Sequence, residues 1–369
     1  MASRVRNFIA ATVALWVAST SLATAPALAG SDPETIRFAV VSTYASGAVH
    51  LSGAEYVVEK QGWLKEQLAQ KGYRLEWYPV ANEAFTNHAI QFASYSDLPS
   101  IILNAAGADV RTAVVLPGAA PGEGYLVVPA NSTAKSIEDL KGKRLAIHKG
   151  RPWELTLLHL LDSKGLSYND FQVYNINLDA GTTAVATGAV DALFAVEPFQ
   201  IEERGIAKII WSSKDSPVEW KQWGGIWADK SFLAKHPDIA QLVVTAFVKA
   251  RYWIAQPENK DEIVQLATVN GTPERIVRRN YDQSPLSWKD LWSPVFSKAF
   301  HRHYEQSIQY SLDKGIIASP VNANDLIEDR FVVQALKDLK LENYWGSYDD
   351  ISSATATQQS AANKQGTTK

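Results

Sequence analysis

Twice in this chain a short apolar segment with strand character leads into an acid, a proline and an apolar helix. The first copy spans residues 89–103 and contains Asp97, and the second spans residues 188–201 and contains Glu197. In each copy the acid falls where the strand ends and the helix begins, beside free N–H groups and the positive end of the helix dipole. Open α/β sheets bind ligands at such points. The pair predicts two similar α/β lobes that face each other across a ligand.

Each copy alone also fits an ordinary connection between a strand and a helix, in which the acid caps the helix. For a single copy that interpretation is favoured. The presence of two copies in one exported chain favours a ligand between both helix starts.

The N-terminus has the pattern of a cleavable export signal. Two arginines precede an apolar run at 8–17, and residues 27–29 end in the small-x-small cleavage pattern. The run is shorter than the ~20 apolar residues of a membrane helix, and no later segment reaches that length. No cysteine follows the cleavage site to carry a lipid anchor. We therefore expect residues 1–29 to be a signal peptide and the mature protein, starting near Gly30, to be periplasmic and not embedded in the membrane.

Composition excludes several other classes of protein. The 369 residues suggest about two domains, and the formal net charge of -3 argues against nucleic acid as a partner. The absence of cysteine excludes disulfides, thiolate metal sites and cysteine nucleophiles. Residues 350–369 are mostly small and polar, so we expect a disordered tail. We expect the folded part to be a monomer.

The order of predicted elements divides the chain into two lobes. Strands and helices alternate in the first part, which predicts a mostly parallel sheet, and a second complete α/β unit follows. The last part is almost entirely helical and needs a lobe to pack against. We therefore expect lobe one to comprise residues 33–126 plus 229–345, and lobe two residues 127–228. Crossings near 125–129 and 223–228 would form a two-strand hinge.

Several motifs in this chain occur together in one protein family. They are VPANS at 128–132, SIEDLKGKRLAIHKG at 136–150, Trp153, KGLSYND at 164–170, GAVDA at 188–192 with Glu197-Pro-Phe after it, and KHPDI at 235–239. In this order they resemble the periplasmic solute-binding proteins of ABC importers, in the alkanesulfonate, taurine and nitrate group. The likeness covers residues 34–265. It implies two mixed-sheet α/β lobes of the type II periplasmic-binding-protein kind, with a ligand cleft between them.

The resemblance also implies a ligand and a partner. The ligand would be a small anionic or zwitterionic solute, and the partner the membrane permease of an ABC importer. We expect an organosulfur anion, such as an alkane- or arylsulfonate, a sulfate ester or taurine. Nitrate, phthalate and a thiamine pyrimidine precursor are alternatives.

Three departures from the family pattern fall in the predicted cleft. Residues 196–199 read Val-Glu-Pro-Phe where Trp-Asp-Pro-Phe is usual, and residues 151–152 read Arg-Pro where a small residue is common. The approach to the first copy, at 87–89, lacks the usual glycine. Because these positions would set specificity, the sequence does not name the solute.

Candidate ligand contacts fall at predicted strand ends and helix starts. Arg151 opens a helix, where a cation opposes the dipole, so it either holds an anion beside free N–H groups or lies in solvent. The loop at 44–47 would oppose it from lobe one, as backbone N–H groups and a hydroxyl can bind an anion. Asp97 and Glu197 either accept hydrogen bonds from a ligand amine or hydroxyl, or cap their helices. The candidates are Tyr44, Ser46, Gly47, His50, Asp97, Leu98, Arg151, Trp153, Glu197, Phe199 and Trp227.

An exported enzyme is the rival class. His301 and His303 are two residues apart, so on a helix they point to different faces and cannot share a metal. The chain has no G-x-S-x-G elbow and no G-x-x-x-x-G-K phosphate loop. We therefore expect a binding protein that has no catalytic residue, metal or cofactor.

Overall fold

The computed structural model describes residues 34–40, 49–79, 83–107, 111–269, 271–282, 284, 286–346 and 349. The predicted signal peptide, the predicted loop with Tyr44, Ser46 and Gly47, and the predicted tail at 350–369 lie outside the described residues. These three expectations stay predictions.

Ten strands and thirteen helices occur among the described residues. The strands are β1 (Glu34–Val40), β2 (Tyr73–Pro79), β3 (Phe92–Ser96), β4 (Thr112–Pro117), β5 (Tyr125–Pro129), β6 (Arg144–Ile147), β7 (Gln172–Asn175), β8 (Ala192–Ala195), β9 (Ala207–Ser212) and β10 (Gly224–Asp229). The helices are α1 (Gly53–Gln61), α2 (Trp63–Gln70), α3 (Glu83–Thr86), α4 (Asp97–Ala105), α5 (Trp153–Ser163), α6 (Leu178–Thr187), α7 (Phe199–Glu203), α8 (Lys230–Lys235), α9 (Pro237–Ala255), α10 (Lys260–Leu266), α11 (Glu274–Asp282), α12 (Lys298–Asp313) and α13 (Arg330–Leu339). Short 3₁₀ helices lie at Glu138–Leu140, Tyr168–Asp170, Val218–Trp220, Pro257–Asn259, Asp290–Trp292 and Ala323–Leu326.

The strands form two five-stranded sheets with the same plan. The first sheet has the order β2-β1-β3-β10-β4, and the second has the order β7-β6-β8-β5-β9. In each sheet the first three strands are parallel, and the fourth is antiparallel to both of its neighbours. Every residue of β4 and of β8 is buried, as in strands that helices cover on both faces. The prediction of two mixed-sheet α/β lobes is confirmed.

Two short segments, 118–124 and 213–223, connect the sheets. They lie side by side, because the Gly122 N–H donates to the Gln222 carbonyl at 2.7 Å and the Gln222 N–H donates back at 3.2 Å. A side chain has no room at Gly118, where a Cβ would lie 2.8 Å from the Gly224 carbonyl oxygen. The predicted two-strand hinge is present at this close crossing.

The two crossings lie at 118–124 and 213–223, slightly earlier in the chain than the predicted positions near 125–129 and 223–228. The strand pairing explains this difference. Strand β5 already pairs in the second sheet from Tyr125, and β10 already pairs in the first sheet from Gly224. Each crossing segment therefore supplies the antiparallel strand of the lobe that it enters. The lobe limits 33–126 plus 229–345, and 127–228, stay a prediction.

The helices after β10 contact both lobes. The longest of them, α9, packs on the first sheet, where Phe247 stacks on Phe38 with 5.0 Å between ring centroids. Helix α11 instead reaches the lobe of the second sheet, where Ile276 is buried in its hydrophobic core. Arg279 of α11 forms an ion pair with Glu202 of α7 at 2.8 Å. These contacts bring α11 to the side of the cleft that faces the second sheet.

Helix α12 makes a second connection between the lobes. The Tyr310 hydroxyl and the Lys314 ammonium both reach the Asp162 carboxylate of α5 at 2.6 Å. The ring of His159, one turn earlier on α5, lies between Tyr310 and Trp220, with centroid distances of 3.8 and 5.4 Å. Burial between these rings lowers the pKa of His159 to about 4.

Candidate functional site

Two adjoining cavities lie between the sheets, at the strand ends. The larger is about 490 Å³ and is called here the Arg251 cavity, since Arg251 of α9 lines it together with the end of β3 and the start of α1. The smaller is about 180 Å³ and is called the Glu197 cavity, since Glu197 lines it together with the first crossing. Leu291 lines both cavities. Together they form the candidate ligand cleft.

The Arg251 cavity contains a partly buried cation, some of whose hydrogen-bond donors have no acceptor among the described residues. Nη1 of Arg251 donates to the carbonyls of Pro117 at 2.6 Å and Ser293 at 3.2 Å. Its Nε and Nη2 atoms make no hydrogen bond to any of the described residues. Burial lowers the pKa of Arg251 to about 10, so the guanidinium keeps its charge at neutral pH. A ligand anion placed here would pair with it.

The start of α1 adds polar groups to the same cavity. Ser52, which precedes α1, lines the cavity and makes no side-chain capping bond to the helix. Helix α1 has nine residues, and its first-turn N–H groups and dipole favour an anion.

Glu55 is an acid at this otherwise favourable position for an anion. Desolvation raises the pKa of its carboxyl, although a hydrogen bond from the Ser94 hydroxyl and the charge of Arg251 both act to lower it. The raised pKa favours the protonated carboxyl. Where Glu55 is protonated, it exerts no repulsion on an anion in the cavity; where it is ionised, its charge offsets that of Arg251.

The Glu197 cavity holds a carboxylate that has no partner among the described residues. Glu197 adopts φ 45°, a left-handed conformation that is strained for any residue with a side chain. Within the described part of the chain, its carboxylate makes no hydrogen bond or ion pair. Glu197 is accessible from the cleft, but protein surrounds it on most sides, and this desolvation raises the pKa of its carboxyl. The other candidate of the motif, Phe199, lines the same cavity beneath the Arg279 guanidinium.

A second acid in this cavity, Glu123, interacts with a hydroxyl and an ammonium group. Glu123 accepts a hydrogen bond from the Tyr125 hydroxyl at 2.8 Å, and the Lys221 ammonium lies 4.0 Å from its carboxylate. Desolvation lowers the pKa of Lys221. Asn280 of α11 also lines the cavity, and its buried Oδ1 has no hydrogen-bond donor among the described residues.

Arg151 does not line the Arg251 cavity. It lines a third cavity, of about 420 Å³. It lines this space with the loop after β6, opposite Tyr95 and α4 of the first lobe. Desolvation and the neighbouring charge of Arg151 lower the pKa of His148. Arg151 thus faces the other lobe, as the sequence suggested, and its contact with an anion stays a prediction.

Asp97 is placed in the interior. Its carboxylate accepts hydrogen bonds from the N–H of Leu98, the N–H of Trp223 and Nε2 of His303, each at 2.7 Å. The Asp97 N–H donates to the Trp223 carbonyl at 2.9 Å, so the first acid of the motif holds the second crossing segment in place. Its side chain is 1% exposed.

The remaining candidates differ in their surroundings. Leu98 and Trp227 have no exposed surface and lie in the interior of the first lobe. Trp153 packs against the core of the second lobe, and its buried Nε1 has no partner among the described residues. His50 is half-buried just before α1. The structure therefore places Glu197 and Phe199 at the cleft and Asp97, Leu98 and Trp227 in the core. Their predicted ligand contacts stay untested.

Sequence reasoning missed Arg251 and Asn280. Arg251 falls four residues after Phe247 and seven after Val244, on the buried face of α9, so helical periodicity could have singled it out. No such signal exists for Asn280, since its place depends on α11 reaching across to the second lobe.

Two classes of site are not found in the described part of the chain. No group of three or more His, Cys, Asp or Glu side chains is positioned there to hold a metal ion. Among these residues, no helix is long and apolar enough to cross a membrane.

Comparisons with known proteins agree with this geometry. The NMT1/THI5-like family matches residues 55–260. The periplasmic sulfonate-binding protein SsuA from Methylobacillus flagellatus KT, which is assigned provisionally to a sulfonate ABC transporter, is 40% identical. Its structure superposes with a TM-score of 0.73 and covers 86% of this chain and 98% of its own.

Two further relatives are more distant. A protein of Escherichia coli (strain K12), provisionally named an aliphatic sulfonates-binding protein, is 26% identical over 276 residues, which are 72% of this chain and 81% of its own. The desulfurization enzyme DSZB is 15% identical, with a TM-score of 0.62, and covers 83% of this chain and 99% of its own. At that identity, the last comparison shows the fold alone.

Proposed function

This chain belongs to the NMT1/THI5-like family, and from that premise we propose that it is the periplasmic solute-binding component of an ABC importer. It captures a small organosulfur anion in the cleft between its lobes and delivers the anion to the membrane permease. The observation that carries this proposal is the 40% identity to a periplasmic sulfonate-binding protein along nearly all of that protein's length.

The cleft supplies what capture of such an anion requires. Arg251 is a partly buried guanidinium whose Nε and Nη2 have no acceptor among the described residues, and the start of α1 adds N–H groups beside it. A sulfonate oxygen bound there would receive charge-assisted hydrogen bonds in a site shielded from water. Two lobes that close around the solute would present a different surface to a permease when they are loaded.

An enzyme of the same fold is the second candidate, because DSZB superposes on this chain. This chain contains no cysteine, so a thiol nucleophile is excluded. The cleft offers a binding cation and an acid that has no partner among the described residues. A hydroxyl meets a carboxylate there in two pairs, Ser94 with Glu55 and Tyr125 with Glu123, but the described lining of neither cavity includes a histidine to act as the general base. Binding is therefore the function that this geometry supports better.

A ligand screen on the mature protein tests the proposal. The screen measures the melting temperature with taurine, alkanesulfonates, arylsulfonates, sulfate esters, nitrate, phthalate and a thiamine pyrimidine precursor. A solute at a hundredfold excess over its Kd stabilises the fold by ~2.7 kcal/mol, and we expect this effect from an organosulfur anion.

Three outcomes of this screen have different meanings. Stabilisation by an organosulfur anion, recovered unchanged afterwards, supports the proposal. Stabilisation by only nitrate, phthalate or the pyrimidine precursor contradicts the solute class. Conversion of a sulfonate to a new product, measured by mass spectrometry, favours the enzyme.

A further inference from the structure

We propose that the Glu197 cavity is a subsite for a hydrogen-bond donor on the ligand, so that the solute is an organosulfur anion that also carries an ammonium or hydroxyl group. This inference rests on the proposed function and narrows its substrate class. It is carried by two acceptors that share one small cavity and have no donor within the described part of the chain.

The first acceptor is the Glu197 carboxylate. A strained backbone, with φ 45°, directs this residue from the end of β8 toward the cavity. The Glu197 side chain is exposed to the cleft, so a ligand can reach it, and no described residue engages its carboxylate. The raised pKa of Glu197 is consistent with a carboxyl that still lacks its donor. A ligand ammonium or hydroxyl would supply one.

The second acceptor is Oδ1 of Asn280, which lines the same cavity. This atom is buried and has no donor among the described residues. Buried polar atoms in folded proteins nearly always have a hydrogen-bond partner, so an exception in a ligand cleft indicates a group that the ligand brings. Since Asn280 lies on α11 and Glu197 follows β8, the two acceptors approach the cavity from separate elements.

Among the described residues, no cation compensates the charge of Glu197 in this cavity. Lys221 lies beside Glu123, which also accepts the Tyr125 hydroxyl, so these groups balance one another. Lys221 additionally donates to the Lys214 carbonyl at 2.7 Å. Arg279, which lies over the Phe199 ring, is paired with Glu202. The described charges around the cavity therefore sum to an excess negative charge at any pH where Glu197 is ionised, and this favours a positive or donating ligand group.

The two cavities together match a ligand with two unlike ends. Arg251 and the start of α1 line the larger cavity, and Glu197 and Asn280 line the smaller one beside it. A sulfonate at the first end and an ammonium or hydroxyl at the second would satisfy groups in both cavities. An alkanesulfonate without a donor would leave Glu197 and Asn280 unsatisfied.

Three matched ligands test this inference by calorimetry on the mature protein. They are ethanesulfonate, 2-aminoethanesulfonate and 2-hydroxyethanesulfonate, which differ in a single terminal group. We expect the wild-type protein to bind at least one donor-bearing ligand roughly 10- to 100-fold more tightly than ethanesulfonate. Glu197→Met and Asn280→Leu each remove an acceptor at similar side-chain size, and we expect each to reduce that preference at least several-fold.

The control is Glu342→Met, which removes an exposed carboxylate outside the cleft and should preserve the preference. Equal binding of all three ligands by the wild-type protein overturns the inference while keeping the proposed function. A preference that survives in both cavity variants overturns it as well. Binding of no sulfonate at all by the folded wild-type protein overturns the proposed function together with the inference. If circular dichroism shows that one variant does not fold, the ligand preference of the other variant tests the inference.

Discussion

Asp97 follows β3 and Glu197 follows β8, and each of these strands is third in the order of its five-stranded sheet. The two acids therefore occupy equivalent places in two lobes of the same plan. Asp97 is buried and accepts three hydrogen bonds, two of them from residues 126 and 206 positions away in the chain. Glu197 faces a cavity and has no partner within the described residues.

The difference between the two acids shows what a local sequence pattern decides. The pattern fixes where the chain turns from strand to helix, and hence where the acid stands. The partners of Asp97 come from the second crossing and from α12. Among the described residues, the lobe of the second sheet places no equivalent donors beside Glu197, so its carboxylate is open to the cleft.

The strongest test of this comparison is to remove the buried acid. Asp97→Ala leaves the Trp223 N–H and the buried His303 ring without their acceptor. We expect the free energy of unfolding to fall by about 3–5 kcal/mol, measured by urea unfolding of the mature protein. Glu197→Ala is the matched control, and we expect it to unfold at the wild-type urea concentration or above. Similar losses in both variants would mean that both acids are structural.

The next prediction concerns the two arginines, Arg251 and Arg151, that are candidates for binding the anion. Arg251→Met should weaken sulfonate binding by roughly 10- to 100-fold, because a buried charge-assisted hydrogen bond contributes about 1.5–3 kcal/mol. Arg151→Ala tests the sequence prediction, which expects a loss of similar size and an almost unchanged melting temperature without ligand. Titration calorimetry measures both variants. Wild-type affinity in Arg251→Met would remove this residue from the anion site, and the same result for Arg151→Ala would make Arg151 a surface residue.

The smallest effect concerns the pH dependence of stability at Glu197. Its carboxyl pKa is raised above 4.5 in the folded state by desolvation, so the folded protein retains a proton that the unfolded chain has already lost. The wild-type protein therefore loses stability relative to Glu197→Gln as the pH rises from about 4.5 through the raised pKa. Since cleft solvent screens this charge, we expect a difference below about 1 kcal/mol. Thermal unfolding of both proteins from pH 4 to 8 measures it, and a difference of opposite sign would show that Glu197 has a cationic partner.

Much of the architecture could be predicted from the sequence. Strand and helix periodicity, together with the repeated acid motif, indicated two α/β lobes and a hinge. The antiparallel strands β5 and β10 were not recognised as sheet members, because their pairing depends on how each crossing segment enters the next lobe. Local periodicity contains no information about such long-range pairing.

The site was less predictable than the fold. Glu197 and Phe199 were placed correctly at a strand end, and the structure brings them to one cavity. Arg251 and Asn280 belong to helices far along the chain, and their relation to the cleft follows from how α9 and α11 pack. The motif also could not distinguish the two acids, since the donors that engage Asp97 come from distant segments.

The stack of His159 between Tyr310 and Trp220 has a consequence for how the protein responds to acid. With a pKa of about 4, this imidazole stays uncharged from weakly acidic to alkaline conditions. The contact between α5 and α12 therefore keeps the same charge state across that range. A change in solute affinity between pH 5 and 8 would therefore not arise from protonation of His159 in the contact that joins the two lobes.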